Sequence, residues 1–405
     1  MTEAPARLAI PPQAVVCLSL AAFGSGIALR VNDALLPRFA AEFHIGVGQA
    51  AQVISFFAIA YGLAQLLFGP LGDRFGKYRV IAWASVACTA TSALCAVAEG
   101  FDSLRVARLL AGATAAAIIP LSMAWIGDVV DYERRQPVLA RFLIGQILGM
   151  TAGVSLGGFA ADHLSWRVPY IFLALLFAGI ALALFAINRR LPAHARAMRA
   201  AGDGSALTRI FSDFAHVLAL PWARVILLTV FLEGAFLYGA FAFIASHLHT
   251  RFGLSLSASG AAMMLFGAGG FAFALGAAQM VKRMGEVGLV RGGGALAGFA
   301  LLSLGLTPVW WWALPSALLA GLGFYMLHNT LQVNATQMAP TRRGAAVSAF
   351  ASSFFLGQSA GISLGGLVID GLGTGWLMAI GGVGVTLVAL MFAQVQQARA
   401  QIARA

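Results

Sequence analysis

A chain of 405 residues that is 60% hydrophobic and only 10% charged cannot cover a water-soluble globule with polar surface, because soluble domains are about 25% charged. Its net charge of +11 is spread over short joints between apolar stretches, so it does not favour a nucleic acid as a partner. The lipid bilayer is therefore the expected solvent, and an all-α membrane protein is the expected fold class.

Twelve apolar stretches follow one another, each close to the about 20 residues that an α-helix needs to cross a bilayer. The predicted spans are 14–36, 50–68, 80–98, 104–126, 138–160, 168–187, 223–245, 258–281, 288–307, 310–335, 345–369 and 375–393. One long joint divides them into two sets of six, which suggests a duplication. We therefore predict an N-terminal six-helix bundle (1–187), a cytoplasmic central loop (188–222) and a C-terminal six-helix bundle (223–405).

Lys and Arg are concentrated in every second joint. When residues within three positions of a span end are counted with the adjoining joint, twenty of the 26 lie after even-numbered spans or near the chain ends, four lie in the opposite joints, and Arg30 and Arg108 lie deeper inside spans. Positive residues mark the cytoplasmic side of a membrane protein. Both termini are therefore predicted to be cytoplasmic.

Span one contains the first ionisable residues at membrane depth. Arg30 and Asp33 are three residues apart and would share a helix face. Ionisable groups are costly inside a bilayer and are therefore candidates for function. The alternative is that both lie at the outer headgroup level, with Arg30 extending toward water.

The joint between spans two and three combines glycines, bases and one acid. It reads Gly69-Pro70-Leu71-Gly72-Asp73-Arg74-Phe75-Gly76-Lys77-Tyr78-Arg79. Gly69 and Gly76 would permit a tight turn between closely packed helices. Asp73 is either a solvated turn acid or part of a functional cluster.

Span five has a glycine pattern, and Arg108 precedes Gly112 early in span four. Glycines four residues apart lie along one helix face, where a neighbouring backbone can approach closely. The face could serve packing alone, or could let one helix move against another. The glycines are Gly145, Gly149, Gly153 and Gly157, followed by Gly158, and span eleven echoes them with Gly357, Gly361, Gly365 and Gly366.

Spans seven and ten contain the remaining ionisable residues, Glu233 and His328. An apolar environment favours the protonated form of a carboxyl, as a proton carrier requires. A hydrogen bond to a neighbouring helix would also account for Glu233, and a satisfied interior position would account for His328. Helical spacing adds further candidates for a solute cavity, although such aromatics are also typical of packing or lipid-facing surfaces: Gln146, Phe236, Tyr238, Tyr325, Asn329 and Gln332.

Residues 69–77 resemble the signature loop of the major facilitator superfamily, Gly-x-Leu-Ala/Gly-Asp-Arg-x-Gly-Arg/Lys, with Lys77 where Arg is usual. The Arg108 and Gly112 pattern is similar to the family's fourth-helix motif. Span five is similar to the fifth-helix motif of the family's antiporters, although Val154 replaces the expected Pro. The resemblance covers essentially the whole chain and implies the major facilitator fold, a bacterial inner membrane and a monomer.

The resemblance also implies roles for residues. Asp73 would cap helix eleven, and Lys77 would pair with Asp128, closing the cytoplasmic side through the cluster Gly69, Asp73, Arg74, Gly76, Lys77 and Asp128. Helices one, four, seven and ten would line the cavity, which groups Asp33, Arg108, Glu233 and His328. Asp33 and Glu233 are the predicted proton-coupling residues, with Arg30 and Arg108 as charge partners.

The resulting prediction is a proton-coupled secondary transporter that moves a small organic solute by alternating access. Efflux by proton antiport is the first prediction, and uptake of a sugar or small metabolite by proton symport is the alternative. An enzyme is not predicted, because His-Glu-x-x-His, Gly-x-Ser-x-Gly and Walker patterns are absent from the sequence. No cofactor or metal is expected either, since Cys17, Cys88 and Cys95 all lie inside spans.

Overall fold

The computed structural model describes residues 11–196 and 206–402, and every regular element within them is a helix. Three of the arginines counted above, Arg7, Arg199 and Arg404, lie outside the described residues. The twelve long helices in the described part are labelled α1 to α12. They are Pro12–Arg30, Val47–Phe75, Lys77–Ala96, Phe101–Val129, Tyr132–His163, Val168–Arg190, Pro221–Phe252, 256–284, 286–306, Ala313–Gln337, Arg343–Leu372 and Thr374–Ile402.

The all-α architecture with twelve crossing helices is confirmed. Helices α8 and α9 follow one another without a loop, and the chain reverses at Gly285, whose φ is 63°. Glycine adopts this left-handed conformation without the steric cost that a Cβ would add. The prediction of two spans here, separated near Gly285, is therefore also correct.

The outer surface of the helices is apolar. Leu275 is 90% exposed, and Leu175 and Leu367 are each 70% exposed. A surface of this kind is unstable in water but matches the hydrocarbon core of a bilayer. The few ionisable side chains at mid-helix depth are instead turned inward.

Glycines bring α5 against α1 and α11 against α7. A Cβ on Gly149 would collide with the carbonyl oxygen of Phe23, and a Cβ on Gly361 would collide with that of Ala235. Gly145, Gly153 and Gly157 meet α1 in the same way, whereas Gly158 meets the start of α8. Close packing of a glycine-bearing helix against a neighbouring backbone is therefore found in each set of six helices.

The signature segment is predicted to be a loop, but most of it is helical. Helices α2 and α3 run through almost all of it, and the chain turns at Gly76 alone, with φ of 86°. Gly69 lies inside α2, where a Cβ would meet nothing within 4 Å, so it does not form the turn. The close approach is at Gly72, where a Cβ would lie 2.6 Å from Leu121 Cδ2. We call the end of the molecule that carries Gly76 the signature face, and the opposite end the distal face.

The long joint also contains more structure than a loop. A 3-10 turn occupies Ala193–Arg196, and a helix occupies Ala206–Ala219. Trp125 Nε1 of α4 donates to the carbonyl oxygen of Ala195 at 2.9 Å. Asp213 pairs with Arg342, which lies just before α11. This segment therefore packs against helix ends at the signature face.

Candidate functional site

The first charged pair lies where α1 ends. Arg30 is the last residue of α1, and the turn that follows brings Asp33 back, so that Arg30 Nη1 lies 3.0 Å from Asp33 Oδ2. The side chain of Arg30 is 5% exposed and that of Asp33 is fully buried. Both side chains therefore lie inside the protein, and Arg30 does not extend toward water.

Arg30 also contacts the second half of the molecule. Its guanidinium carbon lies 4.1 Å from the centre of the Tyr238 ring and 4.7 Å from that of the Phe241 ring. Cation–π contacts of this kind are favourable when they are shielded from water. The Arg30–Asp33 pair of α1 is thus held against α7.

The second charged pair joins α7 to α10. Glu233 is fully buried, and its Oε2 lies 2.9 Å from Nδ1 of His328. Phe324 stacks on the imidazole ring at 4.8 Å between centroids. A π-helical segment, Gly234–Tyr238, begins directly after Glu233, and such segments are frequent at functional sites.

Arg108 is buried on α4, but it forms no ion pair with Asp33 in the described part of the chain. Its Nη2 donates to the carbonyl oxygen of Ala28 at 3.0 Å, and its Nε donates to that of Val53 at 3.3 Å. The Asn32 amide, in the orientation that satisfies its neighbours, accepts from both nitrogens at 3.0 and 3.1 Å. Arg108 therefore ties α4 to α1 and α2.

Asn32 is a residue that the sequence analysis missed. Besides contacting Arg108, its amide nitrogen donates to the hydroxyl of Tyr170 at 2.5 Å. Asn32 is fully buried, and a buried amide requires such partners. Its position beside Asp33, in a span with few polar groups, was the signal that could have identified it.

Each acid has one oxygen that no described residue satisfies. These atoms are Asp33 Oδ1 and Glu233 Oε1, both with a surface below 1 Å². An unsatisfied buried oxygen is unfavourable for an ionised carboxylate and suits a carboxyl that can take up a proton. Both acids therefore have a free position at which a proton could bind.

A small pocket lies between the two sets of helices. Arg30 is the only charged residue of those that line it, all of which the structure describes. The other walls are aromatic, sulfur-containing or small, as in sites that bind moderately apolar ligands. The lining includes Met150, Tyr238, Phe241, Phe266 and Tyr325.

The predicted cavity residues separate into two groups. Tyr238 and Tyr325 line the pocket, whereas Phe236 packs against Gly384 of α12. Residues two apart on a helix point in nearly opposite directions, so Phe236 and Tyr238 cannot share a wall. Half-buried positions outside this pocket are occupied by Gln146, Asn329 and Gln332.

The signature segment contributes a charged cluster. Lys77 Nζ lies 2.8 Å from Asp73 Oδ1 and 2.7 Å from Asp128 Oδ2. Arg74 is exposed, and its guanidinium lies 5.1 Å from the ring centre of Phe75. Lys77 therefore joins the end of α2 to the end of α4.

These features define a helical membrane protein with buried charged pairs in its interior. Residues 18–362 match the model of the Major Facilitator Superfamily. The chain belongs to the Major Facilitator Superfamily.

Relatives agree with this assignment. The chain is 25% identical over 343 residues to the uncharacterized MFS-type transporter YceJ of Bacillus subtilis (strain 168), which covers 82% of this chain and 83% of that protein. It is 26% identical over 173 residues to the multidrug export protein EmrB of Escherichia coli (strain K12), covering 43% of this chain and 33% of EmrB.

Solved structures share the fold. The nucleoside transporter NupG superposes with a TM-score of 0.74 at 18% identity, covering 94% of this chain and 98% of NupG. The human organic anion transporter MFSD10 (TETRAN) superposes with a TM-score of 0.70 at 20% identity, covering 95% of this chain and 100% of MFSD10. The protein is therefore a multi-pass membrane transporter of a small solute and not an enzyme.

Proposed function

We propose that this protein is a proton-coupled secondary transporter of the bacterial inner membrane that exports a small organic solute in exchange for protons. The observation that carries the proposal is the pair of buried carboxyls, one in each half. Asp33 lies on the α1 side and Glu233 lies on α7, and each has one oxygen without a partner among the described residues.

The basic partners of the two acids suit different parts of such a cycle. Arginine does not release its proton, whereas a histidine side chain can be neutral or protonated. The Glu233–His328 pair can therefore change its protonation with little change in geometry. The Arg30–Asp33 pair can instead respond to what enters the pocket, because Arg30 lines it.

Export is supported by the similarity to EmrB, whose name describes multidrug export, and by the fifth-helix glycine face. The signature face, with its Lys and Arg residues, is proposed to be cytoplasmic. On this arrangement, rocking of the helix halves would expose the pocket alternately to the two sides. We propose that the unit which does this is a monomer.

The test is made in two stages. A panel of toxic compounds, sugars and amino acids is first screened for altered growth between an overexpressing strain and a deletion strain. Each compound that responds is then added to everted membrane vesicles containing an acridine dye that reports the proton gradient. Antiport predicts that the compound partly collapses the gradient with the wild-type protein and not with Glu233→Gln or Asp33→Asn. Equal collapse with the Glu233→Gln variant would exclude Glu233 from coupling.

Uptake by proton symport is the second candidate, and one observation favours it. Arg30 is the charged wall of the pocket, so an anionic metabolite would bind it in place of Asp33. A displaced, buried Asp33 would then take up a proton, because an unpaired buried carboxylate is strongly disfavoured. Anion and proton would move in the same direction. In right-side-out vesicles, symport predicts alkalinisation of the medium when the solute is added, and antiport does not.

A further inference from the structure

Helices α5 and α11 end in the same ten-residue pattern. Residues 153–162 and 361–370 both read Gly-x-Ser-Leu-Gly-Gly-x-x-x-Asp. The glycines explain the packing on α1 and α7, but they do not explain why both copies end in an acid. Both acids, Asp162 and Asp370, are exposed at the distal face.

Asp162 caps a helix of the opposite half. Its Oδ1 accepts from the backbone N–H of Leu256 at 3.2 Å, and its Oδ2 accepts from that of Ser257 at 2.6 Å. These residues begin α8, so the carboxylate satisfies N–H groups that have no partner within the helix. Gly158 permits the approach, since a Cβ there would collide with the carbonyl oxygen of Leu256.

Asp370 occupies the matching place on the other copy. A Cβ built on Gly48 would lie 2.8 Å from Asp370 Oδ2, and one built on Gly46 would lie 3.3 Å from Oδ1. Gly46 is the N-cap of the 29-residue helix α2, and Gly48 lies in its first turn. Gly366 permits this approach, since a Cβ there would lie 2.8 Å from the carbonyl oxygen of Gly48.

The two contacts are related by the duplication. In one, an acid at the end of α5 in the first half faces the start of α8 in the second half. In the other, an acid at the end of α11 in the second half faces the start of α2 in the first half. A negative charge at a helix N-terminus is favoured by the helix dipole, so both contacts stabilise the same closed arrangement of the distal face.

We propose that the two copies of Gly-x-Ser-Leu-Gly-Gly-x-x-x-Asp form a two-part latch, in which Asp162 and Asp370 hold the distal face closed and must both release their helix N-termini when it opens. The glycines set the distance between the helices, and the acids set the free energy of the closed state. The latch acts on the conformational equilibrium alone and does not depend on which solute moves or in which direction.

The experiment measures opening of the distal face directly. Spin labels are placed at Glu99→Cys and Trp310→Cys, in distal joints of opposite halves, where both side chains are exposed. The native cysteines are buried, so labelling is directed to the two introduced residues. The distance distribution by pulsed electron resonance in nanodiscs, without added solute, gives the fraction of molecules open at the distal face.

Asp162→Asn and Asp370→Asn should each raise the ratio of open to closed molecules about two- to five-fold, as expected for one exposed charge at a helix N-terminus. The double variant should raise it by about the product of the two, since the sites are separate. Asp162→Lys should open the distal face more than Asp162→Asn, because a positive charge is repelled by a helix N-terminus.

The matched control is Glu42→Gln, which removes an exposed distal acid whose partner is Arg38 on the same short helix, Leu36–Phe43. It should leave the ratio unchanged. Asp162→Glu and Asp370→Glu keep the charge and should restore at least part of the closed state, which excludes a general folding defect. An unchanged open fraction in the double Asn variant, or an equal shift in Glu42→Gln, would overturn the latch.

Discussion

Glu233 and His328 form a buried pair that joins α7 to α10. The two side chains are 2.9 Å apart, and both partners can hold a proton, whereas in the pair of Arg30 and Asp33 only the acid can release one. The Glu233–His328 pair is neutral when it holds one proton. A second proton gives the pair one positive charge, and its release restores neutrality. We therefore propose that proton binding takes place chiefly on α7 and α10.

Glu233→Gln should abolish proton-coupled flux while leaving the protein folded. Gln keeps the shape and a hydrogen bond to His328 but cannot be ionised, so a protonated His328 would lack its carboxylate partner inside the protein, which is strongly disfavoured. The measurement is proton movement in proteoliposomes driven by a solute found in the growth screen. Solute counterflow, which needs no net proton movement, should be retained and serves as the control. Full proton flux in this variant would contradict the assignment.

Arg108 should prove to be mainly a structural residue. Its guanidinium donates to the buried carbonyl oxygens of Ala28 and Val53. A lysine ammonium cannot present two donors in the same planar geometry. Arg108→Lys should therefore destabilise the protein by about 1–3 kcal/mol, the cost of leaving buried polar groups unsatisfied. Thermal unfolding in detergent measures this.

Arg38→Lys is the control for Arg108→Lys, because Arg38 is 43% exposed in a surface pair and exposed pairs contribute about 0–1 kcal/mol. The midpoint of thermal unfolding of Arg38→Lys should stay near that of the wild type. An Arg108→Lys variant with wild-type stability and no transport would instead place Arg108 in the transport mechanism.

At the scale of elements, the contact between α1 and α5 depends on the absence of side chains. The α5 glycines meet the backbone of α1 at every turn from Ser19 to Val31. Small residues at such positions are what allows membrane helices to pack closely. Neither helix can therefore gain even one methyl group there without moving the other.

Gly149→Ala should destabilise the fold by about 1–3 kcal/mol, the usual cost of overpacking, because its Cβ would collide with the backbone of Phe23. Gly179→Ala in α6 is the matched control, since a Cβ there would meet nothing within 4 Å. It should be neutral or stabilising by up to about 1 kcal/mol through helix propensity. Thermal unfolding of both variants in the same detergent decides between packing and propensity. Equal effects would mean that the glycine face tolerates side chains.

The sequence predicted the elements better than their ends or their partners. Hydrophobic length identified twelve crossings, but it could not show that α2 continues to Phe75, because polar residues beyond the bilayer still extend a helix. The pairing of Glu233 with His328 joins residues 95 positions apart, and depends on how α7 and α10 are rotated. A pattern within one helix carries no information on that rotation.

At the scale of the whole molecule, the signature cluster ties together one half. Lys77 joins the α2–α3 turn to Asp128 at the end of α4, and all three helices belong to the first six. The cluster therefore fixes the shape of the first half at its signature face. Asp73, which also contacts Lys77, is the acid proposed to cap α11 across the interface.

Asp73→Asn should lower the initial transport rate without lowering the amount of protein in the membrane. The loss of its charge weakens both the contact with Lys77 and the proposed cap on α11. Initial rates are measured in vesicles with matched protein content. Asp102→Asn, which removes an exposed acid at the distal face, is the control. Unchanged rates in Asp73→Asn would count against a latch at the signature face.

The charge asymmetry of the whole molecule predicts its orientation in the membrane, and this prediction can be tested directly. Arg79 lies at the signature face and Glu99 at the distal face, both exposed, and α3 connects them. Because positive joints stay in the cytoplasm, Glu99→Cys should react with a membrane-impermeant thiol reagent added to intact cells, whereas Arg79→Cys should react only after the membrane is opened. Buried native cysteines keep the background low. The reverse pattern would place the signature face outside and would contradict the proposed orientation.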